Sequence, residues 1–108
     1  LEAGADAGAT TPQGYTALVY SASQGDAESV KALVEAGAPV DQGHRQADRG
    51  LTALIYSARG GHLLTAQILL EQGADVNAER SGMTALKMAT AQGHTEMVRL
   101  LEEAGATR

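Results

Sequence analysis

Apolar residues along this chain fall into pairs of short helical stretches, and the pair occurs three times. In the middle pair, the first stretch places Leu54, Ile55 and Ala58 at helical spacing. The second stretch carries the apolar stripe Leu63, Ala66, Ile68, Leu69 and Leu70. Glycine separates the two stretches and also follows the second one, as expected where helices end. The pattern predicts a helix, a tight turn, a second helix and an extended loop in each copy.

Three landmarks recur at fixed offsets and define the repeat. The tripeptide Thr-Ala-Leu begins at Thr16, Thr52 and Thr84, so the period is 36 and then 32 residues. Each Thr is followed nine residues later by a Gly, and a Gly-Ala pair begins twelve residues after that. One helix pair cannot bury its own stripe, and about three stacked pairs are the practical minimum for a stable array. We therefore predict an all-α solenoid of stacked helix-turn-helix units with extended loops.

The landmarks divide the 108 residues, which form one domain, into four segments. Residues 1–10 match the tail of a truncated preceding repeat, and 11–41 form the first repeat. Residues 42–77 form a repeat whose loop is enlarged at 42–50, and 78–108 form a C-terminal capping repeat. The cap is predicted from polar residues at positions that are apolar or small in the middle copy: Lys87, Thr90, Thr95 and Glu102. Because the chain starts within a repeat and without Met, we expect an excised or processed fragment.

These motifs resemble the ankyrin repeat family, whose unit reads roughly G-x-T-P-L-H-x-A-A-x-x-G-H-x-x-x-V-x-x-L-L-x-x-G-A-D-x-N. The middle copy matches it through Gly50-Leu51-Thr52-Ala53-Leu54, Ala58, Gly61-His62, Leu69-Leu70 and Gly73-Ala74-Asp75-Val76-Asn77. The family's Pro is replaced by Ala17, Ala53 and Ala85, and its first His by Val19, Ile55 and Lys87. We interpret these departures as an exchange of loop rigidity for helix propensity and apolar packing.

The resemblance implies a non-catalytic module that binds a protein or peptide partner through its loop tips, or fingers, and the inner face of its first helices. Carried onto this chain, that surface comprises Pro12, Gln13, Tyr15, Gln24, His44, Arg45, Asp48, Arg49, Leu51, Arg59, Arg80, Met83 and Gln92. Tyr15, Leu51 and Met83 are equivalent positions, which either form an apolar contact row or pack each finger base onto its neighbour. The alternatives are a structural spacer within a longer ankyrin array and an engineered repeat scaffold.

Two further groups of residues have competing interpretations. Tyr20, Tyr56 and Met88 are equivalent, and we expect them to fill the gaps between stacked helices rather than to contact a partner. The enlarged finger carries Arg45 and Arg49, which suit a partner's carboxylates. It is equally well explained as a neutral surface loop that tolerated an insertion.

Composition and motifs limit the kinds of site and partner that this chain can have. The chain has no Cys, and the net charge of −5 provides no basic surface for nucleic acid. No apolar run approaches the roughly 20 residues that cross a bilayer. Among His44, His62 and His94, the last two begin equivalent helices in separate repeats, and no carboxylate pair accompanies them at ligand spacing, so we expect no metal and no cofactor. There is no catalytic motif, and we expect a non-enzymatic monomer located in the cytoplasm or the nucleus.

Overall fold

The computed structural model describes residues 17–38, 40, 52–80 and 82–106, and these form three helix pairs. The first helices of the pairs are α1 (Ala17–Gln24), α3 (Ala53–Gly60) and α5 (Ala85–Gln92). The second helices are α2 (Ala27–Glu35), α4 (Leu63–Glu71) and α6 (Thr95–Glu103). The fold is an all-α repeat structure, as the sequence predicted. The enlarged finger predicted at 42–50 and the segment 1–10 lie outside the described residues.

Threonine caps start the first helices of the second and third units. The Thr52 Oγ1 atom accepts a hydrogen bond from the backbone N–H of Ile55 at 3.3 Å, and Thr84 Oγ1 accepts one from Lys87 at 3.1 Å. Each hydroxyl satisfies a backbone donor that the first helical turn leaves without a partner. The predicted N-cap at Thr52 is confirmed.

The units stack so that like helices lie side by side. α1 packs on α3 and α3 on α5 more extensively than the second helices pack on one another. The first helices therefore form the inner layer and the second helices the outer one. Leucine at equivalent positions fills the interior of every unit: Leu18, Leu54 and Leu86 in the inner layer, and Leu33, Leu69 and Leu101 in the outer layer.

Equivalent positions show which side of a first helix faces which neighbour. Tyr56 is 1% exposed and Met88 is buried, whereas Tyr20 is 53% exposed. This position therefore faces the preceding unit, and the expectation that Tyr20 fills a gap between stacked helices is wrong. No described element covers it. Conversely, Ile55 is buried while its equivalent Lys87 is exposed, so that position faces the following unit.

The apolar stripe predicted for α4 is only partly confirmed. Ala66 and Leu69 are buried, and Ile68 and Leu70 are half-buried against the core. Leu63 is instead exposed, because its position on the helix points away from the inner layer. The neighbouring position that faces inward is Thr65, which is buried.

Candidate functional site

The finger between the second and third units forms a tight turn that begins at Arg80. The backbone N–H groups of Arg80 and Met83 each donate to the other's carbonyl oxygen at 2.9 Å. Gly82 has a φ of 80°, a conformation that a residue with a side chain adopts only with strain. The paired hydrogen bonds hold two of the predicted site residues, Arg80 and Met83, opposite each other in this turn.

Lys87 ties this finger to the helix below it. Its ammonium group donates to the carbonyl oxygen of Gly82 at 3.3 Å and lies 3.8 Å from a carboxylate oxygen of Glu79. Both charged side chains are about half exposed, so the ion pair adds little to stability. Its effect is to restrict the finger. From the sequence, Lys87 is predicted as part of the polar cap and as the replacement for the family's first His, but its contacts with the finger are not predicted.

Met83 is half-buried and packs against the core cluster. The finger base is therefore partly held by apolar contact, and part of the Met83 side chain remains accessible. Arg80 is also half-buried, and its guanidinium donates to the carbonyl oxygen of Glu79 at 3.0 Å. The two equivalents of Met83, which are Tyr15 and Leu51, lie outside the described residues.

The inner layer contributes the other described site residues at the C-terminal ends of its helices. Gln24, Arg59 and Gln92 are all exposed there. The guanidinium carbon of Arg59 lies 4.8 Å from the centroid of the Tyr56 ring. A cation over an aromatic face is attracted at this distance. Because Tyr56 is buried, its ring is fixed in position and holds the Arg59 guanidinium in place, while the positive charge faces solvent.

One histidine joins the C-terminal end of α1 to the following unit, and a second one joins that of α3. The Nε2 atom of His62 lies 3.3 Å from the carbonyl oxygen of Ser23, and Nε2 of His94 lies 2.9 Å from that of Arg59. Since a carbonyl oxygen only accepts, Nε2 is the protonated nitrogen in both rings. The family's sequence signature alone did not predict these contacts, because the partners are backbone atoms of another repeat.

Glycine makes room for these rings. A Cβ atom added to Gly25 would lie 2.6 Å from His62 Nδ1, and one added to Gly61 would lie 3.0 Å from His94 Nδ1. In the first unit the equivalent of the histidines is Asp26, which caps its own helix by accepting from Ser29. The hydrogen bonds from the Ser29 hydroxyl and backbone N–H lower the pKa of Asp26.

The remaining predicted site residues lie outside the described residues: Pro12, Gln13, Tyr15, His44, Arg45, Asp48, Arg49 and Leu51. Within the described ranges, no group of three His, Cys, Asp or Glu side chains is arranged to hold a metal ion. The described helices are also each too short or too polar to span a bilayer.

Stacked helix pairs with a hydrogen-bonded finger between them define a helical repeat protein. A family model described as ankyrin repeats (3 copies) matches residues 1–80 and 39–107. The chain belongs to the ankyrin repeat family. A search of curated proteins returned no match to it. Ankyrin repeats are in general protein–protein interaction modules and are typically non-catalytic.

Proposed function

We propose that this chain is a non-catalytic module that holds a protein or peptide partner between its fingers and the inner layer of first helices. The finger at Arg80 and Met83 carries the proposal, because paired backbone hydrogen bonds and the Lys87 contact fix its shape before any partner arrives. A preorganised loop loses little entropy on binding. Arg59, supported on the Tyr56 ring, adds a fixed positive charge on the same layer.

The chemistry of this surface favours a partner with carboxylates near an apolar side chain. Arg59 and Arg80 supply guanidinium groups, which bind carboxylates through two parallel hydrogen bonds. Met83 supplies an adaptable apolar contact beside Arg80. Because the chain's net charge is −5, it does not attract acidic polymers in general. The two local cations instead orient the bound partner. The partner is a protein and not nucleic acid, and the module acts as a monomer in the cytoplasm or nucleus.

The test compares partner capture by the chain with capture by a variant whose fingers are replaced by short Gly-containing turns. A second variant, Arg59→Ala with Arg80→Ala, keeps both fingers and removes the cations. Lys31→Ala on the outer layer is the control, since Lys31 is exposed and distant in sequence from the fingers. The proposal requires that the finger replacement and the double variant lose partners that Lys31→Ala retains. Equal capture by all four proteins would contradict it.

Tyr20 favours one alternative, in which the chain is a spacer segment of a longer array. Its 53% exposure contrasts with the buried Tyr56, which the preceding unit covers. A further repeat stacked on α1 would bury Tyr20 in the same way. Alanine at Tyr15, Leu51 and Met83 separates the two functions. A spacer would leave partner capture by the longer protein unchanged, whereas a binding module would lose it.

A further inference from the structure

The outward face of α4 differs in chemistry from that of its two counterparts. Leu63, Leu64, Gln67, Leu70 and Glu71 share one face, because their spacings follow the helical period. Three of these five residues are leucine. The equivalent residues of α2 are Ala27, Glu28, Lys31, Val34 and Glu35, and those of α6 are Thr95, Glu96, Arg99, Glu102 and Glu103. An aliphatic outward face therefore belongs to the middle unit and not to the stacking pattern itself.

This face is open and borders a groove between α4 and α6, which we call the outer groove. Leu64 is 62% exposed and Leu63 is 38% exposed. α4 and α6 pack less extensively than α2 and α4, which leaves a hollow at each end of the groove. The hollow beside Leu63 measures about 360 Å³, and the one over Leu70 and Leu100 about 400 Å³. Exposed aliphatic side chains that the fold does not bury mark a contact surface when they adjoin such a groove.

Glutamate side chains line both hollows of the outer groove. Glu96 lines one hollow, and Glu71 and Glu103 line the other. Gln67 stands where α2 has Lys31, so α4 supplies no cation to the rim. Neither α4 nor α6 has a basic residue in its last turn, where the partial negative charge of the helix end favours one.

Arg99 is the cation of α6 nearest in sequence to these carboxylates. It lies one turn before Glu103 and one turn after Glu96, yet it forms no ion pair with either in the described part of the chain. The carboxylates of the rim are therefore free to meet an incoming cation. The same charges disfavour a second copy of this chain, which would bring its own glutamates against them.

We propose that the outer groove binds an amphipathic helix of a partner protein, with aliphatic residues on one face and Lys or Arg beside them. Leu63 and Leu70 are seven residues apart, which corresponds to about 10 Å along the helix axis. Two turns of an incoming helix span the same distance, so its residues i and i+7 reach the two hollows. Its basic residues then face Glu71, Glu96 and Glu103. This site lies on the opposite layer from the finger site and does not depend on it.

A pair of synthetic helical peptides tests the proposal. One carries Leu at positions i, i+4 and i+7 flanked by Arg, and the other carries the same leucines flanked by Glu. Fluorescence anisotropy with the full chain measures both affinities. The Arg peptide binds, and the Glu peptide binds at least about tenfold more weakly, because it meets like charges at a desolvated rim. Failure of the Arg peptide to bind, or equal affinity for both peptides, overturns the proposal.

Two variants locate the peptide. Leu63→Thr installs the residue found at the equivalent position Thr95, so the fold tolerates it, and it weakens binding by about tenfold through loss of the aliphatic side chain that lines the first hollow. The double variant Glu71→Gln with Glu103→Gln weakens it and reduces its salt dependence. Glu28→Gln on α2 is the matched control and leaves the affinity within about twofold, as expected for an exposed charge outside the groove.

Two checks complete the test. Circular dichroism and the urea midpoint of Leu63→Thr stay close to those of the parent chain, because Leu63 is exposed. Unchanged peptide affinity in this folded variant overturns the proposal. Analytical ultracentrifugation addresses the competing occupant. A concentration-dependent dimer that Leu63→Thr abolishes would assign the groove to a second copy of the chain and overturn the proposal as well.

Discussion

The His94 ring reaches back across a repeat boundary, and its Nε2 atom lies 2.9 Å from the carbonyl oxygen of Arg59. His62 makes the equivalent contact with Ser23 one unit earlier, at 3.3 Å. These carbonyls belong to the last turns of first helices, where backbone acceptors lack helical partners. Each histidine therefore supplies a donor to the neighbouring unit, and the interface between units combines apolar packing with a directional bond.

Removing either imidazole is expected to weaken the stack. His94→Ala and His62→Ala each lose one inter-unit hydrogen bond, which corresponds to about 1 kcal/mol of unfolding free energy. The His62 bond is longer but more buried than the His94 bond, so we expect losses of similar size in the two variants. Urea denaturation followed by circular dichroism measures both values. A midpoint unchanged in both variants would show that these contacts do not stabilise the fold.

Gly25 and His62 are expected to be energetically coupled. Gly25→Ala places a methyl group against the His62 ring and forces a residue with a side chain to a φ of 72°. The left-handed backbone alone costs about 1–2 kcal/mol. In a His62→Ala background the steric part disappears and only the backbone part remains. A double-mutant cycle measured by urea denaturation isolates the difference, and strictly additive losses would contradict the predicted contact.

The two threonine caps are expected to differ in strength. Thr52 is buried, so Thr52→Ala leaves the backbone N–H of Ile55 without a partner in an apolar environment. Thr84 is half-buried, and water can replace it. Loss of a cap costs about 1 kcal/mol in general, and a buried unsatisfied donor costs up to about 3 kcal/mol. Thr52→Ala should therefore lower the thermal midpoint more than Thr84→Ala, and Thr52→Ser should restore most of the loss.

Truncation of the equivalent residues Tyr56 and Tyr20 should cost very different amounts of unfolding free energy. Tyr56→Ala removes a ring that is 1% exposed and is expected to cost about 3–5 kcal/mol. Tyr20→Ala removes a ring that is 53% exposed, and its effect should stay within about 0.5 kcal/mol. Calorimetric unfolding of the two variants checks the contrast. Similar losses in both would mean that Tyr20 is covered by part of the chain in solution.

Asp26 gives the first unit a cap that depends on pH. Its pKa is lowered from the ordinary value of 3.8 by hydrogen bonds from Ser29. A lowered pKa means that the folded state favours the carboxylate. The contribution of the Asp26 cap to the stability of the fold is therefore complete above pH 3.8 and is lost as pH falls through the folded-state pKa. Asp26→Ser keeps a capping oxygen that does not titrate. The unfolding free energies of the parent chain and of this variant are measured as a function of pH. The parent chain should lose stability relative to the variant as pH falls through this range, and a constant difference between the two would contradict the prediction.

The helix pairs and their order could be predicted from the sequence because glycine, Thr-Ala-Leu and the apolar spacing repeat together. Burial at single positions was less predictable, since it depends on which neighbour a residue faces. Tyr20 and Tyr56 have the same local sequence pattern, yet only Tyr56 is covered by an adjacent unit. Leu63 fits the apolar spacing from which a buried stripe was predicted, but its side chain points into the outer groove.

The candidate site was predictable only in part, for a related reason. Arg80 and Met83 were identified from their place in the repeat, whereas the contacts that hold them, from Lys87 to Gly82 and Glu79, depend on side-chain direction. Leu64 was not identified, because it lay outside the apolar stripe predicted for α4. Comparison with Glu28 and Glu96 at the equivalent positions would have identified it as unusual.

Hydrogen–deuterium exchange on the chain alone and in complex with a captured protein partner tests the proposed function most directly. The account predicts slower exchange on binding at residues 78–84 and in the last turns of α3 and α5, where the finger and the exposed inner-layer residues Arg59 and Gln92 lie. Exchange in the middle of α2 should not change. Protection that is absent from the finger and the inner layer, and confined to other parts of the chain, would contradict the account.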